Sequence, residues 1–178
     1  MLHKLYNPQR TPVAEVLLKG IGAYLIYVVI SFIGTELNFV WPWVLKAYAI
    51  LIATCVSGCI MLKGDEVEHV SNMITINGTY GVYFYDAYLQ LGVIVTATLL
   101  ILSVNNSIKA RAVFLPLVLL TLFVLNVVEA LILISLGYYN AKAAFAIVTD
   151  VYTAALYVLL FAGTIWWLQK GKLLKSLP

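Results

Sequence analysis

The sequence predicts an all-α integral membrane protein. We expect a bundle of four transmembrane helices, one short re-entrant or interfacial helix on the outer face, and a small extended or hairpin element before the second crossing. Three observations predict this. The 178 residues are 63% hydrophobic with a mean hydropathy of +0.97, too apolar for a soluble domain. Four stretches, 16–34, 87–104, 112–136 and 151–168, approach or exceed the roughly 20 apolar residues that a bilayer core requires. The basic residues fall mostly on one side of those stretches, as cytoplasmic flanks do. At this length the chain reads as a single membrane domain, 1–178.

The first stretch, 16–34, follows a basic segment, as a signal peptide's apolar core would. Glu36, Asn38 and Trp41 follow it instead of a small-residue cleavage site. It therefore reads as a retained anchor.

The second stretch, 47–62, is shorter and contains Thr54, Ser57 and Gly58. Charge decides whether it crosses. With four spans and an inner N-terminus, the inner set is Lys4, Arg10, Lys19, Lys109, Arg111, Lys170, Lys172 and Lys175. The outer set is Lys46, Lys63 and Lys142, so the eleven divide 8 to 3. A fifth span at 47–62 leaves Lys4, Arg10, Lys19, Lys63 and Lys142 inside, which is 5 to 6. Five spans with an outer N-terminus give the reverse, 6 to 5. The bias selects four spans, both termini cytoplasmic, in a cytoplasmic membrane. Segment 47–62 is then re-entrant or interfacial, with an additional span as the alternative. Cys55 and Cys59 lie on it at i, i+4, one helix face, and read as small packing residues.

Residues 63–86 form the expected outer loop. Asp65, Glu66 and Glu68 make a solvated acidic patch. Ile74, Ile76, Val82 and Phe84 alternate with other residues, and Asn77-Gly78 is a hairpin dipeptide. Asn77-Gly78-Thr79 also matches a glycosylation sequon, but a turn explains it. This element leads straight into 87–104. Trp41, Trp43, Tyr48, Tyr80, Tyr83, Tyr85, Tyr88, Tyr138 and Tyr139 fall on the outer side, and Trp166 and Trp167 on the inner side. They read as interfacial aromatic belts.

Ionisable groups at membrane depth are functional candidates, because burying them costs several kcal/mol. In 112–136, Asn126 and Glu129 are i, i+3 and share a face. Glu129 should be neutral or paired with a donor from another helix. Asp86 opens 87–104. Asp150, with Thr149 and Thr153 beside it, opens 151–168. All of these sit toward the outer ends, where they either converge on a polar cleft or act separately as N-caps.

Composition also excludes function classes. A net charge of +3 needs no nucleic-acid partner. His3 and His69 lie outside the spans, so haem held by two membrane-depth imidazoles is excluded. Two thiols with no nearby His make no zinc site. There is no G-x-x-x-x-G-K-[ST] loop and no internal repeat. No metal and no cofactor are expected. Membrane lipids and other membrane or secreted proteins are the expected partners.

From Thr75 to Gln169 the layout resembles the short members of the exosortase/archaeosortase family, membrane-embedded cysteine transpeptidase-like enzymes that process sorting tails on the outer face. The family's glycine-containing lead-in and acidic or small residue have counterparts in Gly81 to Asp86-Ala87. Tyr88 stands where the nucleophilic Cys would. Asn126-Val127-Val128-Glu129 keeps the Asn of the second motif and has Glu for its Arg. Thr149-Asp150 keeps the Asp of the third and has Thr for its His. The resemblance thus implies a family frame with its chemistry replaced. A phenol of ordinary pKa about 10 is a poor substitute for a thiolate. Threonine takes no proton at pH 7. Glu129 has the wrong sign for an anion clamp.

The expected function is a catalytically inactive exosortase-like subunit that binds or scaffolds through an outward polar cleft of Asp86, Tyr88, Asn126, Glu129, Thr149 and Asp150. Two alternatives remain. One is an enzyme with a carboxylate-based site in the same cleft. The other is a small transporter or channel subunit with Glu129 as a proton or cation relay.

Overall fold

The computed structural model describes residues 12–36, 41–84, 89–104, 106–139 and 142–175. The chain forms α1 (Pro12–Glu36), α2 (Trp41–Met61), β1 (Val67–Val70), β2 (Met73–Ile76), β3 (Tyr80–Tyr83), α3 (Leu91–Ser103), α4 (Ile108–Tyr138) and α5 (Lys142–Lys175). The protein is an α-helical bundle carrying one small sheet. Four of its helices, α1, α2, α4 and α5, are long and apolar enough to cross a membrane.

The boundaries differ from those read in the sequence. The 47–62 stretch belongs to a continuous 21-residue helix that begins at Trp41. Lys46 ended the apolar stretch without breaking the helix, and Pro42 is tolerated in a first turn, where its missing N–H has no intrahelical partner. Among the described residues of the 87–104 stretch, 13 are helical, Leu91–Ser103. Gln90 sits in the left-handed region (φ 46, ψ 24), so the helix cannot continue upstream of Leu91. Helix α4 starts four residues before the expected 112, because the Ser107 side chain accepts from Ala110 N at 3.2 Å and caps it. Helix α5 starts at Lys142, which puts Asp150 inside the helix. Its reading as an N-cap is therefore corrected. The alanine-rich 142–146 segment favours helix although it is too weakly apolar for the hydropathy pattern.

Side-chain contacts fix the helix directions. Lys19 Nζ, low on α1, donates to Ser103 O at the end of α3 (2.7 Å). Tyr27, two turns further along α1, packs against Gly92 at the start of α3. Helices α1 and α3 are therefore antiparallel. Phe114 stacks on Trp167 (4.2 Å between centroids), and the Tyr152 hydroxyl donates to Leu125 O (2.7 Å), so α4 and α5 are also antiparallel. Arg111 donates to Leu102 O (2.8 Å), which brings the start of α4 to the same end as Lys19. Both cations thus sit on the last carbonyls of α3, where the helix dipole favours them. Helices α1 and α4 run one way; α3 and α5 run the other. Tyr48 of α2 meets Phe123 and Asn126, while Ile60 reaches Leu131 and Ile134. Helix α2 thus advances along α4 in the same direction and ends beside its C-terminal end.

The three strands form an antiparallel meander, β1-β2-β3, where the sequence suggested a hairpin. Asn77 (φ 50) and Gly78 (φ 64) make its second turn, closed by Thr79 N→Ile76 O at 3.1 Å. Asn77 also takes the Glu66 N–H on its Oδ1 and donates Nδ2 to Asp65, tying the turn to the start of β1. Ile74 and Ile76 face inward and are buried.

Two cores stack along α4. One gathers Ile52, Val56 and Ile60 of α2, Ile74 of the sheet, and Ala130 and Ile134 of α4. The other gathers Val16 and Ala23 of α1, Val93 and Leu100 of α3, Leu122 of α4, and Leu156 and Leu160 of α5. The outer surfaces of α1, α4 and α5 stay apolar: Phe32 is 66%, Val113 65% and Val158 67% exposed. Surfaces of that kind need a non-aqueous neighbour.

Candidate functional site: a polar cluster between the two cores

The junction of the two cores is polar. Asn126 and Glu129, one turn apart on α4, are 0% and 1% exposed. Glu129 accepts on Oε1 from Gln90 Nε2 at 2.9 Å. Gln90 Nε2 also donates to Thr153 Oγ1 (2.8 Å), and that hydroxyl lies 3.1 Å from Gln90 Oε1. The Tyr48 hydroxyl donates to Asn126 Oδ1 at 3.1 Å. Asn126 is a further polar neighbour of the Glu129 carboxyl. Glu129 Oε2 is buried and meets no hydrogen-bond partner among the described residues. One cluster thereby joins α2, the start of α3, α4 and α5.

Each side chain is there for a local reason. The i, i+3 spacing turns Asn126 and Glu129 inward together. The left-handed backbone at Gln90 ends the lead-in and delivers its amide to the first turn of α3. Thr153 lies one turn after Thr149 on α5, so the two share a face.

The sequence reading has Glu129 either neutral or paired with a donor from another helix; the donor present is Gln90, from the residue preceding α3. Asn126 is buried and bonded to Tyr48. Thr149 is half-buried on α5. Asp86, Tyr88 and the side chain of Asp150 lie outside the described residues. Gln90 was missed, because a single amide at the edge of an apolar stretch looks like a boundary residue. Tyr48 was read as an interfacial anchor, yet its hydroxyl turns into the junction. Its place at the start of the apolar stretch, one turn before Ile52 on the same face, was the available signal.

Chemically the cluster is a set of amide, hydroxyl and carboxyl groups bonded to one another, with Glu129 Oε2 left over. The thiols, Cys55 and Cys59, are free and half-buried on α2. Among the described residues, no group of three or more His, Cys, Asp or Glu is placed to hold a metal ion.

A crevice of about 250 Å³ adjoins the cluster, lined by Tyr24, Tyr27, Gly92 and Tyr157 together with Gln90 and Thr153. Tyr24 and Tyr157 meet edge to face at 5.8 Å. Compared with known proteins, the chain matches no family model, no curated protein and no solved structure.

Proposed function

We propose that the protein is a non-catalytic, exosortase-like, multi-pass membrane protein that acts as a binding or scaffold subunit of a membrane complex. One observation carries the reading: where the resemblance puts a cation for acyl chemistry, Glu129 is locked by Gln90, which Thr153 also engages. A cluster of that kind fixes helices to one another, and among its described residues no thiol stands beside a base. The buried junction lies toward the outer side, and the membrane is the cytoplasmic one with both termini inside. The 8-to-3 division of basic residues supports that orientation. On this reading helix α2 enters the bilayer from the outer side, with Tyr48 at the depth of Asn126, and does not cross it. In support, α1 and α3 are antiparallel, so the chain between them returns to the side it left, and α2 ends with the sheet beside the far end of α4.

The test is the state of the purified full chain. Blue native electrophoresis of mildly solubilised membranes should show it in an assembly larger than a monomer, and intact mass should show no acyl adduct. A strictly monomeric, partner-free species, or a covalent acyl intermediate, would sink the proposal.

The unpartnered Glu129 Oε2 favours a second reading, proton or cation relay. Proteoliposome flux that Glu129→Gln abolishes would establish it over the first.

A further inference from the structure

We propose that the crevice between the end of α2, the sheet and the end of α4 holds one membrane phospholipid whose headgroup carries a primary amine. The inference rests on the membrane-spanning reading above. The crevice has a volume of about 280 Å³. Its floor is apolar, formed by Ile60, Leu131 and Ile134, and its rim carries Lys63 and Asp65. These two opposite charges line the same crevice two residues apart. Among the described residues no ion pair joins them; the one present is Lys19–Glu15. Asp65 takes the Asn77 amide on Oδ1, which leaves its other oxygen for a second donor. The rim thus offers a cation and an acceptor at separate points over an apolar slot. A zwitterion with an attached acyl chain complements it: phosphate at Lys63, ammonium at Asp65, chain over Ile60 and Leu131.

Depth selects a lipid over a soluble ligand. At about 1.5 Å per residue, α4 is about 46 Å long, against a hydrocarbon core of about 30 Å. Counted from Arg111 at the inner boundary, the core ends near Leu131. The apolar floor therefore lies at the boundary where acyl chains meet headgroups, and Lys63, Asp65 and Tyr139 lie at headgroup level. A choline headgroup has no N–H to donate to Asp65, and a glycerol headgroup brings no cation.

Native mass spectrometry of the delipidated full chain in detergent tests this, with phosphatidylethanolamine, phosphatidylcholine and phosphatidylglycerol of identical acyl chains. One phosphatidylethanolamine per chain should be retained, roughly fivefold more tightly than either competitor, the size of one charged contact at a membrane surface. Lys63→Gln should weaken phosphatidylethanolamine and phosphatidylcholine alike. Asp65→Asn, which can still accept from Asn77, should remove the preference for the amine. Ser135→Trp, checked for folding by circular dichroism, should fill the crevice and abolish retention. Equal retention of the three lipids by the parent chain overturns the proposal. So does an unchanged preference in Asp65→Asn, or displacement of the lipid by a stoichiometric polypeptide. Sidedness is measured separately, by maleimide labelling of Asn106→Cys in intact cells. Outside labelling would defeat the spanning reading, whereas lipid retention in detergent does not depend on it.

Discussion

Gln90→Leu should be among the most damaging single substitutions in this chain. Three hydrogen bonds disappear: those from Nε2 to Glu129 and Thr153, and that between Thr153 and Oε1. Between helices in a bilayer each is worth about 0.6 kcal/mol on average, so about 2 kcal/mol goes directly. The larger penalty is what stays behind. Glu129, 1% exposed, would lose the donor to Oε1 while Oε2 has none, at about 1–3 kcal/mol for an orphaned buried group. The expected total is about 3–5 kcal/mol, a large part of a typical folding stability. Two companions isolate the cause. Gln90→Gly loses the same bonds but relaxes the left-handed backbone, and should be about 1 kcal/mol milder than Gln90→Leu. Adding Glu129→Leu to Gln90→Leu should cost less than the two singles summed, by about 1–3 kcal/mol, because both partners leave together. The assay is reversible unfolding in mixed dodecylmaltoside–SDS micelles, followed by circular dichroism. A Gln90→Leu variant within about 0.5 kcal/mol of the parent, or an additive cycle, would refute the view that this amide holds the junction.

Other outcomes follow from particular contacts. Gly92→Ala places a methyl 2.9 Å from the Tyr27 ring and should cost about 1–3 kcal/mol in the same assay; Gly22→Ala, with open space around it, should be neutral or stabilising. Asn77→Ala loses both the turn residue and the links to Asp65 and Glu66. It should cost about 1–2 kcal/mol and open the sheet to limited proteolysis, while the helix content by circular dichroism stays constant. Ser107→Ala should cost about 1 kcal/mol through the lost cap of α4 and should speed hydrogen exchange at Ala110 N.

The helical class was legible because apolar length is a strong signal: each of the five apolar stretches became a helix. Helix ends were less legible, since hydropathy marks where a chain is greasy and dihedral angles mark where it turns. Lys46 and the 142–146 segment lowered the apolar signal without breaking a helix. Gln90 broke one inside a stretch that stays apolar beyond it. The turn at Asn77-Gly78 was readable because few residue pairs take two positive φ values in succession. Asn126 and Glu129 were readable from spacing alone. Their partners, 39 residues away for Gln90 and 78 for Tyr48, were not, since nothing in one sequence says which distant stretches become neighbours.

Helix α2 poses a problem of timing. It emerges from the ribosome as a long greasy segment while α4, the surface it will lean on, is still unmade. An insertion machinery that partitions segments by hydrophobicity would send it straight through the bilayer. On the topology proposed above, its outer-side entry must then be imposed late, when Ala130 and Ile134 arrive to receive Ile52 and Val56. Lesions in that receiving surface should therefore leave a population of molecules threaded the wrong way round, rather than molecules that are merely less stable.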